Sequence, residues 1–212
     1  MSITMVTATD LRFDAASHCY RLPDGQLVPS VTTILRETGV SADFEALGET
    51  SSHMAAALAL KRDLGRAVHA DCWAFDDNAL DWSTVDPRVE PYLGAWQHFR
   101  ANFQLAPVTH ERRVFHPALR YAGTLDGIFQ KPGGGRVLID LKIGDPADAA
   151  AHLQTAAYLG AYHLEHPEQG IHERWAVQLT PACGVPYRIT PYANWRDFSI
   201  FQACVTVFRE QA

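Results

Sequence analysis

Cysteine is scarce in this chain and does not occur in close pairs. The four cysteines are too far apart in the 212 residues for a CxxC metal site or a dense disulfide framework, so we interpret them as small buried apolar side chains. Long apolar runs are also lacking, because the run at 54–60 falls far below the ~20 residues that cross a bilayer. Neither a basic residue nor a signal-like apolar stretch precedes Arg12. We therefore expect a cytoplasmic protein with no membrane partner.

An excess of positive charge is lacking as well. The chain has 18 basic and 24 acidic residues, a net charge of −6, which argues against nucleic-acid binding driven by bulk charge. Half of the basic residues nevertheless fall in two windows, 61–66 and 112–142, so any contact with an anionic polymer would use local patches. These residues are Lys61, Arg62, Arg66, Arg112, Arg113, Arg120, Lys131, Arg136 and Lys142.

The order of apolar periodicities predicts the fold class. We expect an α/β (α+β) protein in which helices flank one central mixed β-sheet, in a single domain over 1–212. We divide it into an N-terminal hairpin and helices over 1–105, a sheet core over 106–192 and a C-terminal helix over 193–212. The predicted elements are a hairpin at 11–28 with a turn at 23–25, helices at 30–37, 51–75, 88–103, 148–166 and 195–209, and strands at 108–116, 121–130, 136–142, 173–180 and 186–190.

Charged residues interrupt the third strand of the sheet core, at 136–142. Strand alternation places Asp140 and Lys142 on the same face as Leu138, between aliphatic neighbours. Burying such charges costs several kcal/mol unless they are paired or bind a ligand. From this strand alone, an ion pair at a frayed strand end and a ligand site are both open.

A second carboxylate, Asp126, lies between two glycines in the preceding strand. A short turn at 131–135 folds that strand back on the next, and an antiparallel register can place Asp126 across from Asp140. Two neighbouring carboxylates repel each other and raise one pKa unless a cation lies between them. Because all-oxygen sites select Mg²⁺ or Mn²⁺, the pair favours one of these ions.

Two further features accompany the carboxylates. Gln154 and Tyr158 are spaced i, i+4 on a helix and project together, although a tyrosine at this spacing is more often a core residue. Leu153, Ala157, Gly160 and Leu164 form a second, small-residue face that suits close packing on a sheet. Upstream, His69 ends a basic helical segment that starts at Gly65, and a single histidine there is more often structural.

In their order along the chain, these motifs resemble the PD-(D/E)XK nucleases, and among them the RecB-like branch that includes phage-type exonucleases. The resemblance covers residues 28–180 and implies a restriction-endonuclease-like core. Asp140 stands where glutamate is more frequent in the family, a difference common in the RecB-like branch. The motifs are Gly65 to His69, GTLDGI with Asp126, IDLK with Asp140 and Lys142, Gln154 to Tyr158, and more weakly Val28 to Thr32.

The resemblance implies a role for each matching residue. Lys142 would orient the attacking water and stabilise the charge that develops on the phosphate. Gln154 and Tyr158 would hold the DNA backbone, and we add the basic residues Arg62, Arg66, Arg112 and Arg113 as DNA contacts. The implied metal ligands are Asp126, Asp140, His69 and the carbonyl of Leu141, with Glu111 in a second metal site or its outer shell.

Two function classes follow. The first is a Mg²⁺- or Mn²⁺-dependent deoxyribonuclease, exonuclease-like, in phage or bacterial DNA processing, recombination or repair. The second is a catalytically quiet nucleic-acid-binding or protein-interaction module on the same fold. We expect DNA as a partner, leave open a homo-oligomer or a recombination partner protein, and expect no iron–sulfur cluster, since only Cys183 and Cys204 follow the sheet core.

Overall fold

Two β-sheets and five α-helices make up the part of the chain that the computed structural model describes, which is residues 7–14, 19–41, 52–143, 150–181 and 184–211. The helices are α1 (Val31–Glu37), α2 (Ser52–Asp76), α3 (Glu90–Phe103), α4 (Ala151–Glu165) and α5 (Asp197–Gln211). The strands are β1 (Arg12–Asp14), β2 (Cys19–Arg21), β3 (Leu27–Val28), β4 (Ala106–His116), β5 (Tyr121–Gln130), β6 (Arg136–Ile143), β7 (Ile171–Leu179) and β8 (Tyr187–Pro191).

The larger sheet is mixed, with strand order β4-β5-β6-β7-β8. Strands β6 and β7 are parallel, and the other neighbouring pairs are antiparallel. A parallel pair needs a crossover connection, which α4 supplies. This architecture confirms the predicted α+β class with a central mixed sheet flanked by helices.

The alternation of β6 divides the core into two layers. Val137, Ile139 and Leu141 pack with aromatic residues of α2 and α3 on one face of the sheet. Leu138 packs on the other face with α4 and α5, through residues such as Leu153. The predicted division of this strand between two faces is confirmed, so Asp140 and Lys142 belong to the α4 face.

The N-terminal segment differs from the predicted hairpin. It forms a separate three-stranded sheet, β1-β2-β3, because β1 adds a third strand to the pair around the turn at 23–25. The turn itself is present, with Gly25 at φ 86°. Ser30 then caps α1 by accepting a hydrogen bond from Thr33 N at 2.9 Å, and forms a parallel bridge to Ala122 of β5.

Helix α4 departs from the prediction in its last turns. Leu164 was expected on the face that packs on the sheet, but it is 54% exposed, because the buried face passes through Ala161 and Tyr162 instead. Gly160 faces Phe198 of α5 rather than the sheet. The predicted helix starts at Ser51 and Asp148 lie outside the described residues, as does Cys183.

The cysteine interpretation holds for part of the set. Cys72 and Cys204 are buried in the two core layers, as expected, whereas Cys19 on β2 is only half-buried. Among the described residues, no helix is both long and apolar enough to span a membrane.

Gly123 allows a close approach that generates a stability prediction. A Cβ at this position would overlap the ring of Tyr158, whereas a Cβ at Gly94 on α3 would meet no atom within 4 Å. We expect Gly123→Ala to lower the free energy of unfolding by ~2 kcal/mol. Gly94→Ala is the matched control and should raise it by ~0.5 to 1 kcal/mol, since alanine is the better helix former. Urea unfolding measures the free energy of unfolding of both variants. Equal changes in the two variants would contradict the close contact between Gly123 and Tyr158.

Candidate active site

A cleft of about 380 Å³ opens between α2 and α4, beside the C-terminal end of β6. It combines carboxylates, an imidazole and three cationic side chains with an apolar wall. Its lining residues are Leu58, Lys61, Arg62 and His69 from α2, Asp126 from β5, Asp140, Leu141, Lys142 and Ile143 from β6, and Gln154 from α4.

The β5–β6 register brings the two aspartates together. The paired residues include Gly127 and Ile139, and Asp126 and Asp140 lie one position further along each strand. The expectation that the short turn would bring them across from each other therefore agrees with the observed register.

Three potential metal ligands converge from three elements. One ligand atom each of His69 (α2), Glu111 (β4) and Asp126 (β5) lie within 4.8 Å of one another. His69 Nδ1 is 3.8 Å from Glu111 Oε1 and 4.0 Å from Asp126 Oδ2. One imidazole and two carboxylates are donor groups that bind divalent cations in proteins. Glu111, implied only for a second site or outer shell, belongs to this central group.

The backbone of Leu141 orients two of these ligands. Its N–H donates a hydrogen bond to Asp126 Oδ2 at 2.8 Å, and its carbonyl accepts one from His69 Nε2 at 3.0 Å. Because a carbonyl can only accept, this contact assigns the proton to Nε2 and leaves His69 Nδ1 facing the carboxylates. The carbonyl implied as a metal ligand is therefore engaged with His69.

Asp140 lies in the cleft outside the three-residue group. It is 2% exposed, and its Oδ2 is 3.1 Å from Lys142 Nζ. That ion pair does not have hydrogen-bond geometry, and neither carboxylate oxygen has a hydrogen-bond partner among the described residues. Since buried carboxylates are normally satisfied by hydrogen bonds, the two oxygens are suited to a further cation.

Burial and charge shift the pKa values of the ligand group. Burial, with the charge of Asp140, raises the pKa of Asp126 to about 6, against the opposing effects of His69 and Lys142. Burial lowers the pKa of His69, but Asp126 and Glu111 outweigh it and the net shift is upward. Partial burial raises the pKa of Glu111, but the neighbouring His69 imidazole and the hydrogen bond from Trp73 outweigh it, so the net shift is downward.

Glu111 has an unusual backbone and a partner that the sequence reasoning missed. Its φ is +47°, in the left-handed region that non-glycine residues rarely adopt and that is concentrated at functional sites. The Trp73 indole N–H donates a hydrogen bond to Glu111 Oε1 at 3.0 Å. The signal available in the sequence was spacing, because Trp73 follows His69 by four residues on the same helix face.

Gln154 and Tyr158 come together as predicted. Gln154 Nε2 donates to Tyr158 Oη at 3.0 Å. Gln154 lines the cleft, whereas Tyr158 is 5% exposed and faces a second pocket.

That second pocket, of about 400 Å³, borders Glu111 on the side of the N-terminal sheet. Sequence reasoning did not identify it, although the Val28 to Thr32 segment contributes two of its hydroxyls. Its lining residues are Phe13, Tyr20, Ser30, Thr32, Glu111, Arg113, Gly123, Thr124 and Tyr158.

The four arginines expected to contact DNA are dispersed. Arg62 lines the cleft, together with Lys61. Arg66 forms an ion pair with Asp63 on the exposed surface of α2. Arg112 is 3.2 Å from His166 Nε2, and Arg113 donates to the carbonyl of Leu11 at 3.2 Å in the second pocket.

Comparisons with known proteins add little. No protein-family model matches the chain, and no curated protein matches it. A solved structure titled "Crystal structure of SSO0001" is similar over 57% of this chain and 57% of its own, with 14% sequence identity and a TM-score of 0.39. The likeness therefore spans little more than half of either chain.

The raised pKa of Asp126 predicts that Asp126→Asn stabilises the folded protein by an amount that depends on pH. The folded protein holds this proton up to about pH 6 and the unfolded chain only up to 3.8, so ionisation costs stability as the pH rises. Asparagine is neutral and can still accept from Leu141 N–H. In metal-free buffer, we expect Asp126→Asn to be more stable than the wild type by ~2 kcal/mol at pH 8, with the difference shrinking towards pH 4.5.

Urea unfolding across this pH range measures the difference. Asp24→Asn, at an exposed turn where Asp24 accepts from Gln26 N, is the matched control and should show no such trend. A gain that is independent of pH would contradict the raised pKa.

Proposed function

We propose that the chain is a divalent-metal-dependent DNA nuclease, exonuclease-like, that hydrolyses phosphodiester bonds in phage or bacterial DNA processing. The observation that carries this proposal is the cleft in which Asp126 and Asp140 lie beside Lys142, with His69 and Glu111 next to Asp126. A cluster of perturbed carboxylates with a fixed cation in a concave site is typical of an active site.

The residues present fit a divalent cation. His69, Glu111 and Asp126 would hold it, and Asp140, whose Oδ2 also pairs with Lys142, would supply a further ligand from the same cleft. When bound, Mg²⁺ or Mn²⁺ polarises a phosphate and lowers the pKa of water. Two observations support this cofactor, namely the donor set of the three-residue group and the lack of hydrogen bonds to the buried Asp140 carboxylate from the described residues.

Lys142 provides the charge that cleavage requires. Its ammonium is held 3.1 Å from Asp140 Oδ2 at the edge of the cleft. Negative charge builds up on the phosphate oxygens as the attacking water approaches, and a preorganised cation stabilises that charge in the transition state. Lys142 would also orient the attacking water.

DNA is the substrate that suits the charge distribution around these carboxylates. The chain as a whole is acidic, but Lys61 and Arg62 place two cations on the α2 wall of the cleft. Gln154 adds a neutral polar group from the opposite wall. A phosphodiester backbone would therefore meet cations at the cleft, in a chain whose net charge is −6.

A cleavage assay on two DNA forms tests the proposal. We expect the protein to degrade end-labelled linear DNA with Mg²⁺ or Mn²⁺ and to stop in excess chelator. Closed circular DNA distinguishes the modes, because an exonuclease leaves it intact. Undiminished cleavage in chelator would contradict the metal requirement, and no cleavage with any divalent ion would favour the catalytically quiet binding module.

Asp140→Asn is the variant that links this activity to the cleft. We expect it to abolish cleavage while the fold is retained, because it removes one of two repelling buried charges. Asp24→Asn, the same exchange at an exposed turn, should cleave at the wild-type rate. If the Asp140→Asn protein cuts as fast as the wild type, Asp140 has no role in catalysis or metal binding.

Lys142→Ala separates chemistry from metal binding. Losing one preorganised charge typically costs about 10²- to 10³-fold in rate, and we expect at least that loss of turnover. Mn²⁺ affinity, measured by calorimetry, should not fall, since removal of a neighbouring positive charge favours a dication.

The control for Lys142→Ala is Lys131→Ala, at a lysine paired with Glu173 away from the cleft, which should retain the wild-type rate. If Lys142→Ala loses metal binding together with activity, Lys142 is a structural partner of the carboxylates.

A further inference from the structure

We propose that Trp73 is a positioning residue that holds Glu111 towards the metal centre. The inference rests on the proposed function, because it assumes that the group of His69, Glu111 and Asp126 binds a divalent cation. It goes further by assigning a residue outside the ligand set to the orientation of one ligand.

Helix α2 supplies both a ligand and the group that fixes another ligand. Trp73 and His69 are four residues apart on α2 and therefore lie on one face. Trp73 Nε1–H donates to Glu111 Oε1 at 3.0 Å, while His69 Nδ1 lies 3.8 Å from the same oxygen. Glu111 thus lies against two consecutive turns of one helix.

The Trp73 ring is itself immobilised by its neighbours. It is 6% exposed and is stacked on His110 with ring centroids 4.6 Å apart and planes 12° apart. Trp96 meets it edge-on at 5.5 Å. Because the ring has little room to rotate, its N–H is a fixed donor.

Glu111 needs such a donor. Its side chain is 53% exposed, so without a tether it would gain entropy by turning into solvent. Its backbone is also in the left-handed region, at φ +47°, which surrounding contacts must maintain. The stack of His110, the residue before Glu111, on Trp73 supplies one such contact.

Trp73→Phe is the first test, since phenylalanine keeps an aromatic ring and removes the N–H. We expect the affinity for Mn²⁺, measured by electron paramagnetic resonance or calorimetry, to fall roughly 10-fold or more, as is typical when a group that orients a metal ligand is lost. Trp96→Phe is the matched control. Trp96 belongs to the same aromatic cluster, but its indole N–H has no hydrogen-bond partner among the described residues, so Mn²⁺ affinity should be unchanged.

A double-mutant cycle distinguishes positioning from general loss of structure. In a Glu111→Ala background, Trp73→Phe should have no further effect on Mn²⁺ affinity, because alanine has no carboxylate for the Trp73 N–H to hold. An effect that persists in that background, or equal losses in Trp73→Phe and Trp96→Phe, would overturn the inference.

An NMR measurement tests the contact without altering the core. The indole N–H resonance of Trp73 should move in the metal-free Glu111→Ala protein, whereas that of Trp96 should not. A Trp73 resonance that stays in place would overturn the inference even if Trp73→Phe failed to fold.

The outcomes separate this inference from the proposed function. A wild-type protein that binds Mn²⁺ but does not cut DNA would overturn the proposed nuclease activity. The role of Trp73 would still be supported if Trp73→Phe, unlike Trp96→Phe, lowers the Mn²⁺ affinity. A nuclease whose Mn²⁺ affinity is indifferent to Trp73→Phe would overturn only the role of Trp73. A wild-type protein that binds no Mn²⁺ would overturn both.

Discussion

Negative charge buried between β5 and β6 is the constraint around which the cleft is organised. Asp140 is almost fully covered, yet its carboxylate oxygens accept no hydrogen bond from the part of the chain that the structure describes, and Asp126 is held beside it by a backbone N–H of the neighbouring strand. A pair of buried carboxylates opposes folding. The neighbouring His69 and Lys142 reduce that cost, and the proposed cation would reduce it further.

The sequence was most informative where local periodicity decides the structure. Strict alternation in 136–142 correctly placed Asp140 and Lys142 on one face, because a strand has a period of two whatever surrounds it. The short glycine-rich turn set the register of β5 on β6, which brought Asp126 and Asp140 together. Helical periodicity was less reliable at the end of α4, because the position of α5 determines which side chains are buried there.

Contacts between distant elements could not be predicted in the same way. His69 and Leu141 are 72 residues apart, and their hydrogen bond depends on how α2 lies across the sheet, which no local pattern encodes. The left-handed backbone at Glu111 is equally hidden, since nothing in the sequence THERRV indicates it. Arg66 and Arg112 show the same limit, because charge clustering in the sequence does not reveal which guanidinium groups face a common surface.

The parallel bridge from Ser30 to Ala122 joins the N-terminal segment to the large sheet and bears on truncation of the protein. Phe115 and Ala122 of the large sheet are buried in one cluster with Leu11, Tyr20 and Val28 of the small sheet. Without β1 to β3, the apolar side chains of Phe115 and Ala122 would therefore be exposed to water. A fragment that begins at β4 would expose this apolar surface and be prone to aggregate, so the small sheet belongs to the folding unit.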